Sequence, residues 1–354
     1  MSGRTAVRNA HRGFRAAVSF LALAFIASIR QETGTVAAPG EQADIPVSMP
    51  IPAPIEQHFT ILACGDILLS RTPGKRAAEH GFRYLFAGIR DLVSEADIAF
   101  ANLENPVSYL GTPYPGKPPN VTFRADPATL FGLAWAGFDV LSLANNHMND
   151  YGAHAVGETL DFLDLLGIAR SGAGRDLEEA RSPAILERDG VRFAFLSYAE
   201  PVYSVTAARS VRESRSQDSE DTMLDGPLQP AAVKGQPAET TGVALAAMED
   251  VIADIRSVRE SLEPDYLFVS VHWGDEHQHI PNAFQRALGR AVIDAGATAV
   301  LGHHPHVLQS LERYGDGFIV YSLGNLVFDM ASDQTYETMA IRLHLSNGRL
   351  THAD

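Results

Sequence analysis

Again and again along this chain a short apolar run breaks off into a residue that can carry charge or ligate a metal. Residues 59–64 run into Gly65-Asp66, 97–101 into Asn102-Leu103-Glu104, and 138–143 into Ala144-Asn145-Asn146-His147. The run 266–271 ends in His272-Trp273-Gly274, and 297–301 leads to Gly302-His303-His304-Pro305-His306. Short apolar runs bounded by turn residues read as buried strands. Further strands are predicted over 191–196, 318–321 and 339–345. Helical patterns separate them. Val156, Leu160 and Leu163 share a face over 153–166, and Phe284, Leu288 and Val292 share one over 282–294. A broken helical pattern covers 75–95, with helices also predicted over 128–136 and 244–262. Strands alternating with helices specify a layered α/β architecture. Ligands of open α/β sheets gather outside the carboxyl ends of the strands. Asp66, Glu104, Asn146, His147, His272, His304 and His306 are therefore predicted to meet on one rim.

Taken singly, each has a plain alternative. Asp66 suits a turn or helix cap, and Glu104, just before Asn105-Pro106, suits local backbone bonding. One of Asn145 and Asn146 is expected to be a turn former, and His272 beside Trp273 reads equally as a half-buried, hydrogen-bonded imidazole. Independent turn residues do not predict the recurrence. A mixed set of carboxylate, amide and imidazole donors suits Zn, Mn or Fe better than Mg or Ca. His304 and His306 face one point if the backbone between them stays extended. Arg71 and Arg124 are candidates for gripping an anionic substrate, with a solvated surface charge as the alternative. Ser322 and Asn325 are placed on the same rim, or in a turn after a strand.

Composition narrows the rest. A formal net charge of −15 argues against nucleic acid as a partner. The single cysteine, Cys64, excludes an intrachain disulfide and a Cys-rich zinc site, and its apolar strand makes it a small core residue. Basic residues Arg4, Arg8, Arg12 and Arg15 precede an apolar run over 16–29, which reads as a secretory signal or retained anchor within 1–30. Residues 31–57 form a Pro/Ala-rich linker, and 58–354 the folded domain. Within that domain, 203–241 are polar and charge-mixed, and are expected to be a disordered surface excursion.

The motifs Gly65-Asp66, Asn102-Leu103-Glu104, Asn145-Asn146-His147-Met148-Asn149-Asp150, His272-Trp273-Gly274, Gly302-His303-His304-Pro305-His306 and Tyr321-Ser322-Leu323-Gly324-Asn325 occur in this order. Over roughly 58–330 this series resembles the CapA/PgsA-type poly-γ-glutamate capsule biosynthesis family, which is similar to calcineurin-like metallophosphoesterases. The resemblance implies a four-layer αββα sandwich with a site for one or two divalent ions (Mn, Zn or Fe). It implies Asp66 and His306 on one metal, Asn146, His272 and His304 on another, and Glu104 bridging. His147 becomes the acid or electrostatic group beside the leaving oxygen. Separately from the resemblance, Asp150, three residues on, holds the His147 charge if the turn brings the two together. Leu68 stands where the phosphoesterases carry a histidine, so the first metal has fewer protein ligands. The implied function is an exported or membrane-anchored protein of the cell envelope that hydrolyses a phosphoester near membrane-bound polymer synthesis or export machinery. The alternative is a non-catalytic accessory that binds or guides an anionic polymer.

Overall fold

Alternation of apolar side chains along the strands sorts them between two faces of each sheet. The structure is a computed structural model that describes residues 57–201, 241–330 and 332–354. In chain order the strands are β1 His58–Ile67, β2 Ile98–Leu103, β3 Val140–Ser142, β4 Ala169–Ser171, β5 Ala173–Gly174, β6 Ala184–Arg188, β7 Val191–Ala199, β8 Gly242–Val243, β9 Tyr266–His272, β10 Ala299–His303, β11 Leu311–Tyr314, β12 Gly317–Val320, β13 Asn325–Val327, β14 Ile341–Ser346 and β15 Arg349–Ala353. One sheet has the order β15-β14-β1-β2-β3-β4, with β13 also paired to β1. The other has the order β11-β12-β10-β9-β7-β6, and β5 and β8 form a small ribbon. In the first sheet β1 to β4 run parallel, as do β7, β9, β10 and β12 in the second. The fold is mixed α/β.

Period-two alternation is visible in the cores. Phe59, Ile61, Ile98 and Phe100 from the first sheet share a buried cluster with Phe193, Phe195, Phe268 and Leu301 from the second. Phe195 stacks between Phe100 and Phe268, with ring centroids 5.7 and 4.9 Å away. The intervening residues Leu62, Cys64, Ala99 and Ala101 pack instead with Leu130, Leu133, Val156 and Leu160, which lie on the helices Leu130–Ala136 and Gly152–Leu166. On the second sheet Leu196, Val269, Val271 and Val300 pack with Val251, Ile255, Leu288 and Val292 of the helices Met248–Leu262 and Ala283–Asp294. Asn282 starts the latter with a reciprocal capping box to Gln285. Cys64 lies in the core as expected.

The predicted boundaries shift in instructive ways. The broken pattern over 75–95 resolves into the helix Arg71–His80, a 3-10 turn Phe82–Phe86 and the helix Arg90–Glu95. Gly81, at φ 86, separates the first two. β1 runs three residues past the expected end, so Asp66 is a strand residue, in register with Asn102 of β2 and Asn325 of β13. The short strands β4, β6, β11, β13 and β15 carry too little periodicity to be legible alone. No helix among the described residues is long and apolar enough to cross a membrane. The expected signal or anchor over 1–30, the linker apart from Gln57, and the excursion apart from Thr241 lie outside the described residues.

Glycine precedes the site residues on both sheets for steric reasons. A Cβ on Gly302 would sit 2.1 Å from the carbonyl oxygen of Tyr321, and one on Gly65 would sit 2.0 Å from that of Gly324. Backbone cannot yield as a flexible side chain can. Gly302→Ala is expected to cost about 3 kcal/mol, at the upper end for overpacking. Urea unfolding checks this, and an unchanged midpoint would mean that the two backbones are not in contact.

Candidate metal centre

The carboxyl ends of β1, β2, β9 and β10 bring four sequence segments to one buried place. Asp66, Glu104, His272, His303, His304 and His306 are all buried. Asp66 Oδ1 accepts from Asn102 Nδ2 at 2.8 Å, and Oδ2 accepts from the His304 backbone N–H at 3.2 Å. Glu104 Oε1 lies 3.6 Å from Nε2 of His272 and 3.6 Å from Nε2 of His306. Those distances are too long for hydrogen bonds. The Asn146 Oδ1 atom is 3.0 Å from His272 Nε2.

Two groups of ligating atoms follow, each with its members within 4.8 Å of one another: Glu104, His272 and His304, and Asp66, Glu104 and His306. Glu104 belongs to both. A third group joins His304 and His306 to the exposed carboxylate of Glu276, which sequence reasoning did not single out. The histidine pair does not converge through extended backbone. His304 has φ 98 and His306 φ 57, both left-handed. Such a conformation costs a non-glycine residue of order 1–3 kcal/mol and persists where surrounding structure over-determines it.

The electrostatics are those of a cluster short of positive charge. Among the described residues neither oxygen of Glu104 has a hydrogen-bond partner, nor does Nδ1 of His304. Burial, and then the neighbouring Asp66 charge, push the Glu104 carboxyl well above the usual carboxylate range. Burial opposes ionisation of Asp66 too, but His303, His272 and His306 outweigh it and hold that carboxyl below its usual range. Burial, followed by His304, drives His272 well down, and burial, followed by His306, lowers His304 to about 4. Neutral imidazoles and buried carboxylates with free lone pairs are the states that ligate cations. The orphaned Glu104 oxygens and the mixed O/N donors therefore fit a divalent ion such as Zn, Mn or Fe.

Around this cluster the other predicted residues divide. His147 Nδ1 is 2.9 Å from Asp150 Oδ2, so the turn does bring them together. Phe123 stacks on the His147 ring at 4.2 Å between centroids, and its N–H donates to Asp150 Oδ2 at 2.7 Å. Asn325 Oδ1 is 2.8 Å from His306 Nδ1 and orients that ring. Ser322 instead donates to the Val307 carbonyl at 2.7 Å. Arg71 pairs with Asp329 at 3.1 Å and sits over the Phe123 ring, at the edge of the site. Arg124 donates from its guanidinium to the Leu110 carbonyl at 2.9 Å and lies over Tyr151, where it brackets a loop. Asn145 is the turn former, donating to Asn102 Oδ1 and the Leu103 carbonyl while accepting from His147 and Met148 N–H. His303 Nδ1 approaches Asp66 Oδ1 to 3.0 Å without hydrogen-bond alignment, behind the cluster. Leu68 is fully buried, so its side chain adds nothing at the position of the absent histidine.

Two contributors had no role assigned from the sequence: Asn102, which stood in a motif only as the neighbour of Glu104, and Lys117. Asn102 links Asp66 to His272, whose Nδ1 is 3.4 Å from Asn102 Nδ2. Lys117 arrives from the proline-rich loop, where no periodicity or motif marks it, and its Nζ bonds Asp150 Oδ1 and the Asn146 carbonyl.

The chain matches known proteins over this same region. Residues 60–330 fit the family described as bacterial capsule synthesis protein PGA_cap. It is 30% identical over 295 residues to the "Capsule biosynthesis protein CapA" of Bacillus anthracis, covering 82% of this chain and 64% of that protein. It is 30% identical over 282 residues to the "PGA biosynthesis protein CapA" of Bacillus subtilis (strain 168), covering 79% and 66%. A "probable polyglutamine synthesis accessory protein" of Mycobacterium tuberculosis is 29% identical over 255 residues, covering 70% of this chain and 60% of that one. The chain thus spans about two thirds of the length of these relatives. With the family match taking in every strand end of the cluster, this chain belongs to the bacterial capsule synthesis protein PGA_cap family.

Proposed function

We propose that this chain is an exported or membrane-anchored capsule or poly-γ-glutamate biogenesis protein. Its site is a metal-dependent phosphoester hydrolase centre on a four-layer αββα frame, the two sheets face to face and helices outside. One observation carries the hydrolytic reading: a fully buried glutamate, Glu104, whose two oxygens lack hydrogen-bond partners among the described residues, shared between two clusters of ligating atoms. Uncompensated buried carboxylates are strongly disfavoured unless a cation joins them. Glu104 and Asp66 with His306 would hold one ion, and Glu104 with Asn146, His272 and His304 the other. Bound there, divalent ions supply positive charge for a phosphoryl group and acidify a water near neutral pH. His147 is engaged through Nδ1 with Asp150, and only as the doubly protonated imidazolium, which burial opposes and the Asp150 charge favours, would its Nε2 carry a proton for the leaving oxygen. Phe123 covers one face of that ring and keeps water from it. Arg71, at the rim and paired with Asp329, would be a cation for an anionic substrate.

A second reading is favoured by Leu68. With no histidine there, the Asp66 side of the site keeps few ligands, which suits an accessory that binds an anionic polymer without cleaving it. The relatives' printed names concern capsule and polymer synthesis and agree with either reading. Elemental analysis of the purified full-length chain, with p-nitrophenyl phosphate and bis(p-nitrophenyl) phosphate assays in Mn, Zn and Fe, separates the two. The hydrolytic reading expects one or two ions per chain and turnover abolished by chelator. A metal-free protein with unchanged turnover in chelator would sink it, whereas metal-dependent polyglutamate binding without turnover would install the accessory reading.

A further inference from the structure

We propose that Lys117 is a positioning residue: it holds Asp150 and the Asn146 carbonyl so that His147 keeps Nδ1 on Asp150 and offers Nε2 to the substrate. The substrate-facing part of this rests on the hydrolytic reading above; the positioning part does not. Lys117 comes from a loop with four prolines and two glycines over 111–119. Its side chain is only 9% exposed. A buried ammonium persists when it is paired and hydrogen-bonded. Here the ammonium approaches three groups of the site: Asp150 Oδ1, the Asn146 carbonyl at 3.1 Å and His147 Nδ1 at 3.3 Å.

The donor count decides what these contacts mean. An ammonium has three hydrogens and no lone pair, and an ionised carboxylate only accepts. Asp150 Oδ2, 2.9 Å from His147 Nδ1, therefore requires a proton on Nδ1. Lys117 Nζ cannot then donate to that nitrogen, and its proximity serves to pin Asp150. Asp150 is also the anchor of the loop: its Oδ2 accepts from Phe123 N–H and its backbone oxygen from Tyr114 N–H at 2.8 Å. Lys117 thereby joins the loop to the two residues on either side of the His147 ring, Asn146 in sequence and Asp150 in space. Without its charge, Asp150 loses the donor on Oδ1, and Phe123 N–H alone is left to hold the carboxylate against the imidazole. A lysine serving only to tether the loop would leave the tautomer of His147 untouched.

The test uses the full chain with ¹⁵N-labelled histidine at one fixed pH, His147→Gln assigning the signal. Wild type is expected to show His147 protonated at Nδ1 with a downfield, slowly exchanging proton. Lys117→Met should lose that proton and mix tautomers, and should lower kcat on bis(p-nitrophenyl) phosphate about 10²-fold, within the range for general acid–base groups. KM and metal content should stay as in wild type. Lys117→Arg, which keeps charge and donors, should restore the proton and most of kcat, and Lys117→Gln replaces the methionine variant should that one unfold. The proposal is overturned if the uncharged variant keeps the downfield proton, or if its whole defect lies in KM. Absence of turnover in wild type defeats the hydrolytic reading alone, and the tautomer still decides the role of Lys117.

Discussion

Glu104→Gln is expected to make the chelator-treated protein more stable and at the same time to remove its response to metal. Among the described residues the buried carboxylate has no hydrogen-bond partner on either oxygen, and an unsatisfied buried group costs about 1–3 kcal/mol. Glutamine keeps the shape without the charge. The sign with pH follows from the raised carboxyl. A folded state that prefers the protonated acid is penalised as pH rises above the unfolded value of 4.5, so the gain from glutamine grows toward alkaline pH. Adding Zn or Mn should reverse the order. At a hundredfold excess over Kd, a bound ion stabilises by about 2.7 kcal/mol, and the variant should gain much less. Turnover, where present, should drop about a thousandfold, equivalent to about 4 kcal/mol of barrier. Thermal melts with and without metal are the check. Glutamine that destabilises the chelated protein, or equal metal gains in both proteins, would show that Glu104 is not a shared ligand.

The second large effect is acid lability of the metal-free protein. His304 is held neutral, down at about 4, by burial and then by His306. The unfolded chain titrates near 6.5. A group whose folded value is depressed leaves stability intact above the unfolded value and withdraws it as pH falls from there to the folded one. The interval from 6.5 to about 4, at about 1.4 kcal/mol per pH unit, withdraws at most about 3 kcal/mol. His272, and His147 to a lesser degree, act in the same direction. Glu104 acts oppositely, gaining in acid. Urea unfolding in chelator at steps between pH 7.5 and 4.5 should therefore lose stability on acidification, and His304→Gln should flatten the curve. A wild-type curve without slope across that interval would mean that these imidazoles are hydrated in solution.

Much of the frame was legible because burial leaves a period. Ile61 and Ala63 alternate with Leu62 and Cys64 in β1, and Val156, Leu160 and Leu163 repeat along one helix face. Short strands such as β4 and β13 escaped because three residues carry no period. The site was legible at the strand ends, where ligating residues interrupt apolar runs. Roles that depend on side-chain direction were not. Arg124 and Arg71 look alike in sequence, yet one brackets the Leu110 carbonyl and the other borders Phe123. The histidine pair would share a face on extended backbone, but it turns through left-handed conformations instead.

By itself the sequence determined which residues could ligate, that strands would carry them, and which family's motif order they follow. These are local properties, set by residue chemistry and by two- and 3.6-residue periods. The resemblance already implied Glu104 as the shared ligand; only the tertiary structure decided that both its oxygens lack hydrogen-bond partners among the described residues, and that Lys117, 33 residues from Asp150 along the chain, secures the His147 partner. Those arrangements depend on parallel register between distant strands and on where a loop returns. Pairings of that kind are settled by packing across the whole domain and leave no trace in neighbouring residues.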